Sequence, residues 1–260
     1  MFLGHVMAQS VKAHIGSDVR VGFFGHESNH EALLKGEIDL YADYDGTALH
    51  RYLAIGDRPR PEVHSLVQHE ARERWNVEWL EPFGSDNTYG ILVPRELAER
   101  LGVTTITELA PHAGELTLAG TAAFLAGDPP LTFAPGGYPG FVAHYGFGFG
   151  TTFATDASFA SPFRAHERGE AEVVADFVVN PFIEALDMVE LLDDRMLFQA
   201  YYIAPVVRGE LLERHPGLRP LLEKMAWKID SRAMARINYL MDFEGRTAED
   251  LATEFLASLD

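Results

Sequence analysis

The chain of 260 residues contains no cysteine. Disulfides, thiolate metal centres and a cysteine nucleophile are therefore excluded, which suits a reduced compartment and equally an exported protein that avoids stray thiols. No apolar run approaches the ~18 residues needed to cross a bilayer. Basic residues are scarce, with 21 Lys and Arg against 39 Asp and Glu and a net charge of −18. Lys and Arg nowhere form a block of four, so the clustered positive charge that nucleic acid or an anionic lipid surface requires is missing. Acidity on this scale favours solubility and cationic partners, and a salt-adapted proteome would produce it too. The chain also lacks G-x-S-x-G and P-loop motifs. A dispersed Ser-His-Asp triad needs no adjacency and leaves no trace in a single sequence.

What is present is the material of an ordinary globular protein, 47% hydrophobic and 11% aromatic, long enough for one large or two medium domains with real cores. The opening MFLGHVMAQSVKAHIG has no basic start, and Gly4, His5 and Gln9 interrupt its apolar run. It reads as an amphipathic helix rather than a secretory signal.

Apolar periodicity predicts a helix over 3–13, a strand over 19–24, a helix over 31–35 and a strand over 38–41. Pro59-Arg60-Pro61 reads as a connector, followed by a helix over 62–75, strands over 77–80 and 90–93, and a helix entered at Pro94 and stopped by Gly102. Further on come a strand over 114–118, a Pro/Gly-rich loop over 129–140, a helix to Tyr145, a strand after Gly150, a helix over 162–168 and a strand over 173–177. The tail from Leu211 is helical, and Thr247-Ala-Glu-Asp250 opens its last helix as a capping box. Strands alternating with helices indicate α/β layers.

A repeat lies within this pattern. Gly36-Glu-Ile-Asp-Leu-Tyr-Ala-Asp-Tyr44 matches Gly169-Glu-Ala-Glu-Val-Val-Ala-Asp-Phe177, each a helix end, a Gly-Glu turn, a short apolar strand and an Ala-Asp-aromatic finish. Ligands of open α/β sheets gather at the carboxyl ends of strands. Two such units would place Tyr44 and Phe177 at two ligand-facing edges.

Two short motifs point elsewhere and fail on context. His26-Glu27-Ser28-Asn29-His30 spells H-E-x-x-H, which binds zinc when both histidines share a helical face. Because Ser28 or Asn29 is a natural N-cap, the helix is expected to begin after His26, leaving the first ligand in a polar loop. Gly146-Phe-Gly-Phe-Gly150 has the order helix, glycines, strand, the reverse of a dinucleotide fingerprint, and is expected to be a C-capping glycine followed by a strand.

The aromatics are more informative. Tyr44 stands in Tyr-Asp-Gly-Thr, Tyr89 follows Asp86-Asn87-Thr88, and Tyr201 lies in Gln199-Ala-Tyr-Tyr202, all beside polar residues at turn-like or strand-end positions. Buried core packing is the ordinary role of such rings, and convergence around a cation is the functional one.

GEIDLYADYDGTAL, DNTYGILVPRELAERLGVTTITEL, YPGFVAHYGF and YYIAPVVRGELLERHPGL, in this order along nearly the whole chain, resemble the substrate-binding domain of ABC importers for glycine betaine, choline and carnitine. The resemblance implies an α/β, two-lobed, type II periplasmic-binding-protein-like fold with a ligand cleft between lobes. Lobe I would comprise residues 1–86 plus 203–260, lacking the family's first strand, and lobe II residues 87–202. It further implies an aromatic box for a quaternary ammonium formed by Tyr44, Tyr89, Phe177 and Tyr201, with Thr47 at the ligand's other end and Asp45, Asp86 and Asn87 as additional candidates. Phe177 stands where the family usually has a fourth Tyr, which keeps the π-face and loses a hydroxyl. Ala134 stands where an Arg usually grips a ligand carboxylate, ahead of Pro135-Gly-Gly-Tyr-Pro-Gly140, and Asn180-Pro181-Phe182 replaces a more polar segment. Choline-like cations are thereby expected to gain on betaines.

The expected protein is an extracytoplasmic, non-catalytic, monomeric solute-binding protein that serves an ABC permease, without cofactor, metal or nucleic acid. The alternatives are a zinc-dependent hydrolase using His26, Glu27 and His30, and a sensor domain with the same fold and another ligand.

Overall fold

The structure is a computed structural model that describes every residue except 17–18, 23–25, 57, 128–133, 159 and 260, and only the backbone of 26–28. It divides into two compact units, Met1–Ser85 with Tyr202–Asp260, and Asp86–Tyr201.

In the first unit, strands β1 (Leu40–Tyr44) and β2 (Val77–Trp79) flank the strand Ile203–Arg208, the last of the chain, and both pair with it antiparallel. That central strand contains Pro205, which cannot donate to a ladder. Its carbonyl accepts from Leu80 N–H at 2.9 Å, so its ring nitrogen faces the same side, just past the last paired residue of β2. The missing donor therefore costs no ladder bond. Helix Arg60–Trp75 covers the sheet, burying Val63, Val67 and Ala71 against Val77, Trp79 and Val206. The opening helix Phe2–Ile15 lies along the last helix, Ala248–Ala257, with Phe2 edge-on to Phe255 and the Gln9 amide donating to the Glu249 carbonyl at 3.0 Å.

The second unit is built on a mixed sheet. Strands β3 (Tyr89–Pro94), β4 (Thr117–Thr121), β5 (Thr151–Thr155), β6 (Val173–Phe177) and β7 (Met188–Leu191) lie in the order β5-β4-β6-β3-β7. β4 is parallel to β5 and β6, whereas β3 runs antiparallel to β6 and β7. Alternation along β6 feeds two cores: Val173 and Ala175 join Ile91, Phe124 and Phe141 on one face, and Val174 joins Leu92, Phe163 and Phe182 on the other.

The predicted amphipathic opening helix, the helix after Pro59 and the Gly102 stop are all present; Gly102 caps helix Arg95–Leu101 in the left-handed conformation, at φ 67°. Three expectations need correction. Residues 19–22 form no strand, and 23–24 lie outside the described residues; Val21 is 53% exposed and Val19 half-buried. The strand expected over 114–118 begins at Thr117, because the preceding carbonyls of His112 and Ala113 are consumed by a 3-10 turn, accepting from Glu115 and Leu116 N–H. The helix expected to begin after His26 starts at His26 itself, placing the whole H-E-x-x-H run on helix His26–Lys35. The first turn of a helix needs no internal N–H partners, so the polar start can be helical despite its capping residues. At the chain's end Thr247 Oγ1 accepts from Asp250 N–H at 3.1 Å, the amino-cap half of the predicted box.

Candidate ligand-binding site

Both copies of the repeat fold in the same way. Helix His26–Lys35 ends at Gly36, with Glu37 N–H donating to the Ala32 carbonyl and Gly36 N–H to that of Leu33. Helix Ser161–Glu167 ends around Gly169, with Glu170 N–H donating to Ala165 and Gly169 N–H to His166. This double bond pattern around a left-handed glycine is a Schellman cap, and φ is 76° at Gly36 and 73° at Gly169. The strand then starts three residues after the Glu in each copy, at Leu40 and Val173.

The strand ends also correspond. Tyr44 pairs with Ile203, and the next N–H, of Asp45, donates to the Tyr202 carbonyl at 3.0 Å. Phe177 pairs with Tyr89, and the next N–H, of Val178, donates to the Thr88 carbonyl at 3.0 Å. In each copy the Asp before the aromatic folds back on it: Asp43 Oδ1 accepts from Tyr44 N–H at 2.8 Å and Asp176 Oδ1 from Phe177 N–H at 2.6 Å. The repeat is thus one supersecondary device used twice, and it delivers a half-buried aromatic ring to the end of a strand in each unit.

Around Tyr44 the first unit adds a short helical turn, Asp45–Thr47, that widens into a π-turn over Ala48–Tyr52, closed by Leu53 N–H on the Ala48 carbonyl. The extra residue of a π-turn rotates the succeeding side chains about the helix axis. Here Tyr52 comes back under the strand and donates its hydroxyl to Asp43 Oδ2 at 2.9 Å. Tyr41 also hydrogen-bonds Asp43, and burial followed by that carboxylate pushes its phenol pKa far above the ordinary value. Asp45 is fully buried, Oδ1 accepting from Gly46 N–H at 2.7 Å. Its Oδ2 lies 3.8 Å from His64 Nδ1, beyond hydrogen-bond reach, and burial holds the His64 pKa below its ordinary value, with Glu81 opposing. Thr47 is half-buried on the same turn.

In the second unit Tyr89 and Phe177 meet edge to face, 4.8 Å between centroids at 78°. Tyr89 is only 3% exposed and tilts against Phe124 at 5.4 Å, so it is a core residue on one side and a neighbour of Phe177 on the other. Burial, then the nearby Asp176, raises its phenol pKa, while Thr121 hydrogen-bonds it. Tyr201 is tied beside the start of β3: its N–H donates to Asp86 Oδ1 at 2.7 Å, and its carbonyl accepts from Asn87 N–H at 2.9 Å. Asp86 is therefore a brace for Tyr201.

The other motifs resolve into packing. His30 is 7% exposed, stacked on Tyr52 at 4.0 Å and 2°, edge-on to Trp75 at 4.8 Å, with Nδ1 3.3 Å from the Tyr41 hydroxyl. The reason expected against zinc was an N-terminal loop, and that reason does not hold, since both histidines are helical. His30 is instead part of the wall that supports Tyr52. Gly146 C-caps helix Gly137–Tyr145 at φ 77°, as its position implied.

Asp43, Tyr52, His64 and Gln199 do not stand out as site residues in the sequence. The repeat alone carries a signal for Asp43, because it aligns with Asp176; Tyr52 depends on a π-turn that no spacing rule announces.

Residues 1–258 match the family described as the substrate-binding domain of ABC-type glycine betaine transport systems, and the chain belongs to that family. It is 26% identical over 260 residues to the ergothioneine transport permease/ergothioneine binding protein EgtU of Helicobacter pylori strain G27, covering 99% of this chain and 45% of that protein. It is 26% identical over 223 residues to a glycine-betaine-binding protein of Pseudomonas aeruginosa PAO1, covering 85% of this chain and 72% of the relative. A crystal structure of a glycine betaine/carnitine/choline ABC transporter protein superposes with a TM-score of 0.88 at 26% identity, over 100% of this chain and 94% of that one. The fold is accordingly that of the two-lobed solute-binding proteins. Among the described residues no helix is long and apolar enough to cross a membrane.

Proposed function

We propose that this chain captures a methylated ammonium compound outside the cytoplasm and hands it to an ABC permease, itself performing no chemistry and acting as a monomer without cofactor, metal or nucleic acid. Its lobes are residues 1–86 plus 203–260 and 87–202. Tyr44, Tyr89, Phe177 and Tyr201 face the cation and Thr47 faces the ligand's other end, with Asp45, Asp86 and Asn87 close by. The named ligands of its relatives, ergothioneine and glycine betaine, both carry such a group.

The observation that supports this most is the duplicated strand end, which presents Tyr44 in one unit and Phe177, already against Tyr89, in the other. A quaternary ammonium has no N–H to donate, so ring faces and apolar contact must hold it, at ~0.5–2 kcal/mol per ring. Four rings total roughly 2–8 kcal/mol, and micromolar affinity needs about 8, so groups beyond the box have to contribute. Asp45 and Asp86 act here mainly as struts, since the N–H groups of Gly46 and Tyr201 engage them.

Thermal-shift and calorimetric titration with choline, glycine betaine, carnitine and ergothioneine test the reading. Saturating ligand should raise the melting temperature without turnover, as for any ligand that binds only the folded state. Tyr44→Ala should abolish the shift while leaving the unliganded melt close to wild type, because Tyr44 is half-buried at a strand end. Substrate turnover, or stoichiometric zinc retained after dialysis, would replace this reading by the hydrolase.

A further inference from the structure

Among the described residues of the second unit, four buried side-chain oxygens have no hydrogen-bond partner: Thr107 Oγ1, and three on residues close in sequence to two of the proposed box rings, Asn87 Oδ1, Thr88 Oγ1 and Gln199 Oε1. Asn87 and Thr88 directly precede Tyr89, and Gln199 stands two residues before Tyr201. The two stretches run side by side, held by Asn87 N–H on the Tyr201 carbonyl and by Tyr201 N–H on Asp86 Oδ1. On the main chain there, the Thr88 carbonyl accepts from Val178 N–H. What remains unpaired on these two stretches is the three side-chain oxygens.

Buried polar atoms almost always find a partner, and an unpaired acceptor in low dielectric is costly. Two of these three atoms are amide oxygens, which can only accept, and the third is a hydroxyl that can do either. A group that satisfies the two amide oxygens must bring its own N–H or O–H.

We propose that Gln199, with Asn87 and Thr88, is the specificity determinant of the second lobe, selecting methylated ammonium ligands that also carry a hydroxyl or N–H donor over those whose only other group is a carboxylate. This deepens the reading of Tyr89 and Tyr201 as ligand-facing residues and rests on it. A carboxylate brought against the two amide oxygens would set lone pair against lone pair. A site built to bond a donor rejects an analogue lacking it more strongly than a hydrophobic pocket rejects one methylene, because the site's own groups are then left unpaired.

The test uses three probes titrated calorimetrically into the chain: choline, which has one O–H; tetramethylammonium, which has the cation alone; and glycine betaine, which has an acceptor alone. Choline should bind about tenfold more tightly than tetramethylammonium, the effect of one good hydrogen bond, and glycine betaine no more tightly than tetramethylammonium. Gln199→Met should remove most of the choline advantage while leaving tetramethylammonium unchanged, and Thr88→Val, of the same shape, should act in the same direction if the first variant folds poorly. Equal affinities for choline and tetramethylammonium, a preference for glycine betaine, or an equal loss for all three probes in the variants would overturn the inference while leaving the aromatic site standing. Failure of all three probes to bind would remove that site, and the inference with it.

Discussion

The two repeats end in the same Asp-aromatic step, yet the two carboxylates live under different chemistry. Asp43 is fully buried and accepts from Tyr44 N–H and the Tyr52 hydroxyl, with Tyr41 as a further partner. Asp176 is 3% exposed and has the Phe177 N–H as its hydrogen-bond donor. The position of Tyr41 in the first repeat is taken by Val174 in the second, which packs on Leu92 and Phe163. Burial therefore dominates at Asp176 and raises its carboxyl to about 7, against the pull of the Phe177 amide. The same backbone device thus carries a carboxyl held by several donors in one unit and a carboxyl raised by burial to about 7 in the other.

Breaking the braced side should have the largest effect. Asp43→Ala takes one acceptor from the half-buried Tyr44 amide and one from the half-buried Tyr52 hydroxyl, at ~1–3 kcal/mol each, so denaturant unfolding should show a loss of about 2–6 kcal/mol. A loss under 1 kcal/mol would mean that water reaches these groups and the brace is not one.

Asp176→Asn should do the opposite. A carboxyl whose folded pKa is raised holds its proton more tightly when folded, so its favourable contribution is complete below an unfolded value near 4 and disappears as pH rises through about 7. Wild-type stability should accordingly fall between about pH 4 and 7 at this site, and the Asn variant, which keeps an oxygen for Phe177 N–H, should lack that slope. Above pH 8 the variant should be the more stable by on the order of 2–4 kcal/mol. Identical pH profiles for the two proteins would show that Asp176 is not poised in this way.

Much of this comparison was visible in the sequence. The Gly-Glu start and the Ala-Asp-aromatic finish survive in both copies because each residue answers a local need: a left-handed cap at Gly36 and Gly169, and a side chain that accepts from the next amide. Strand β6 was legible from its apolar run, and helix Arg95–Leu101 from its Pro and Gly punctuation. What was hidden depends on tertiary neighbours. The chain's last strand, Ile203–Arg208, reads poorly because Pro205 is tolerated only where β2 stops. Tyr52 becomes a partner of Asp43 through a π-turn, and Gln199 stands out only once its oxygen is seen to be buried and unpaired. The aromatic candidates could be named from the resemblance, but Tyr89 proves to be a core ring as well, so its removal would test folding before binding.

A smaller effect is expected at Tyr52. Tyr52→Phe deletes one donor to Asp43 while keeping the ring that stacks on His30, so it should cost about 1–2 kcal/mol. Because Asp43 also fixes Tyr44, the variant should weaken binding of choline modestly. An unchanged stability would place the anchoring of Asp43 on Tyr41 and the backbone instead.

The finest comparison is between the two glycines. A side chain at Gly169 would meet nothing within 4 Å, so Gly169→Ala reports only the cost of the left-handed backbone, about 1 kcal/mol. At Gly36 the same Cβ would lie 2.8 Å from Arg208 Nη1, the far end of a flexible side chain that pairs with Asp39 at 3.6 Å and Glu210 at 3.4 Å. Arg208 can move aside at the expense of partly exposed ion pairs, which are worth ~0–1 kcal/mol, so Gly36→Ala should exceed Gly169→Ala by no more than that. Two costs within about 1 kcal/mol of each other would mean that both units rely on the same cap. A Gly169→Ala change without measurable cost would show that the second repeat keeps the sequence of the device after ceasing to need it.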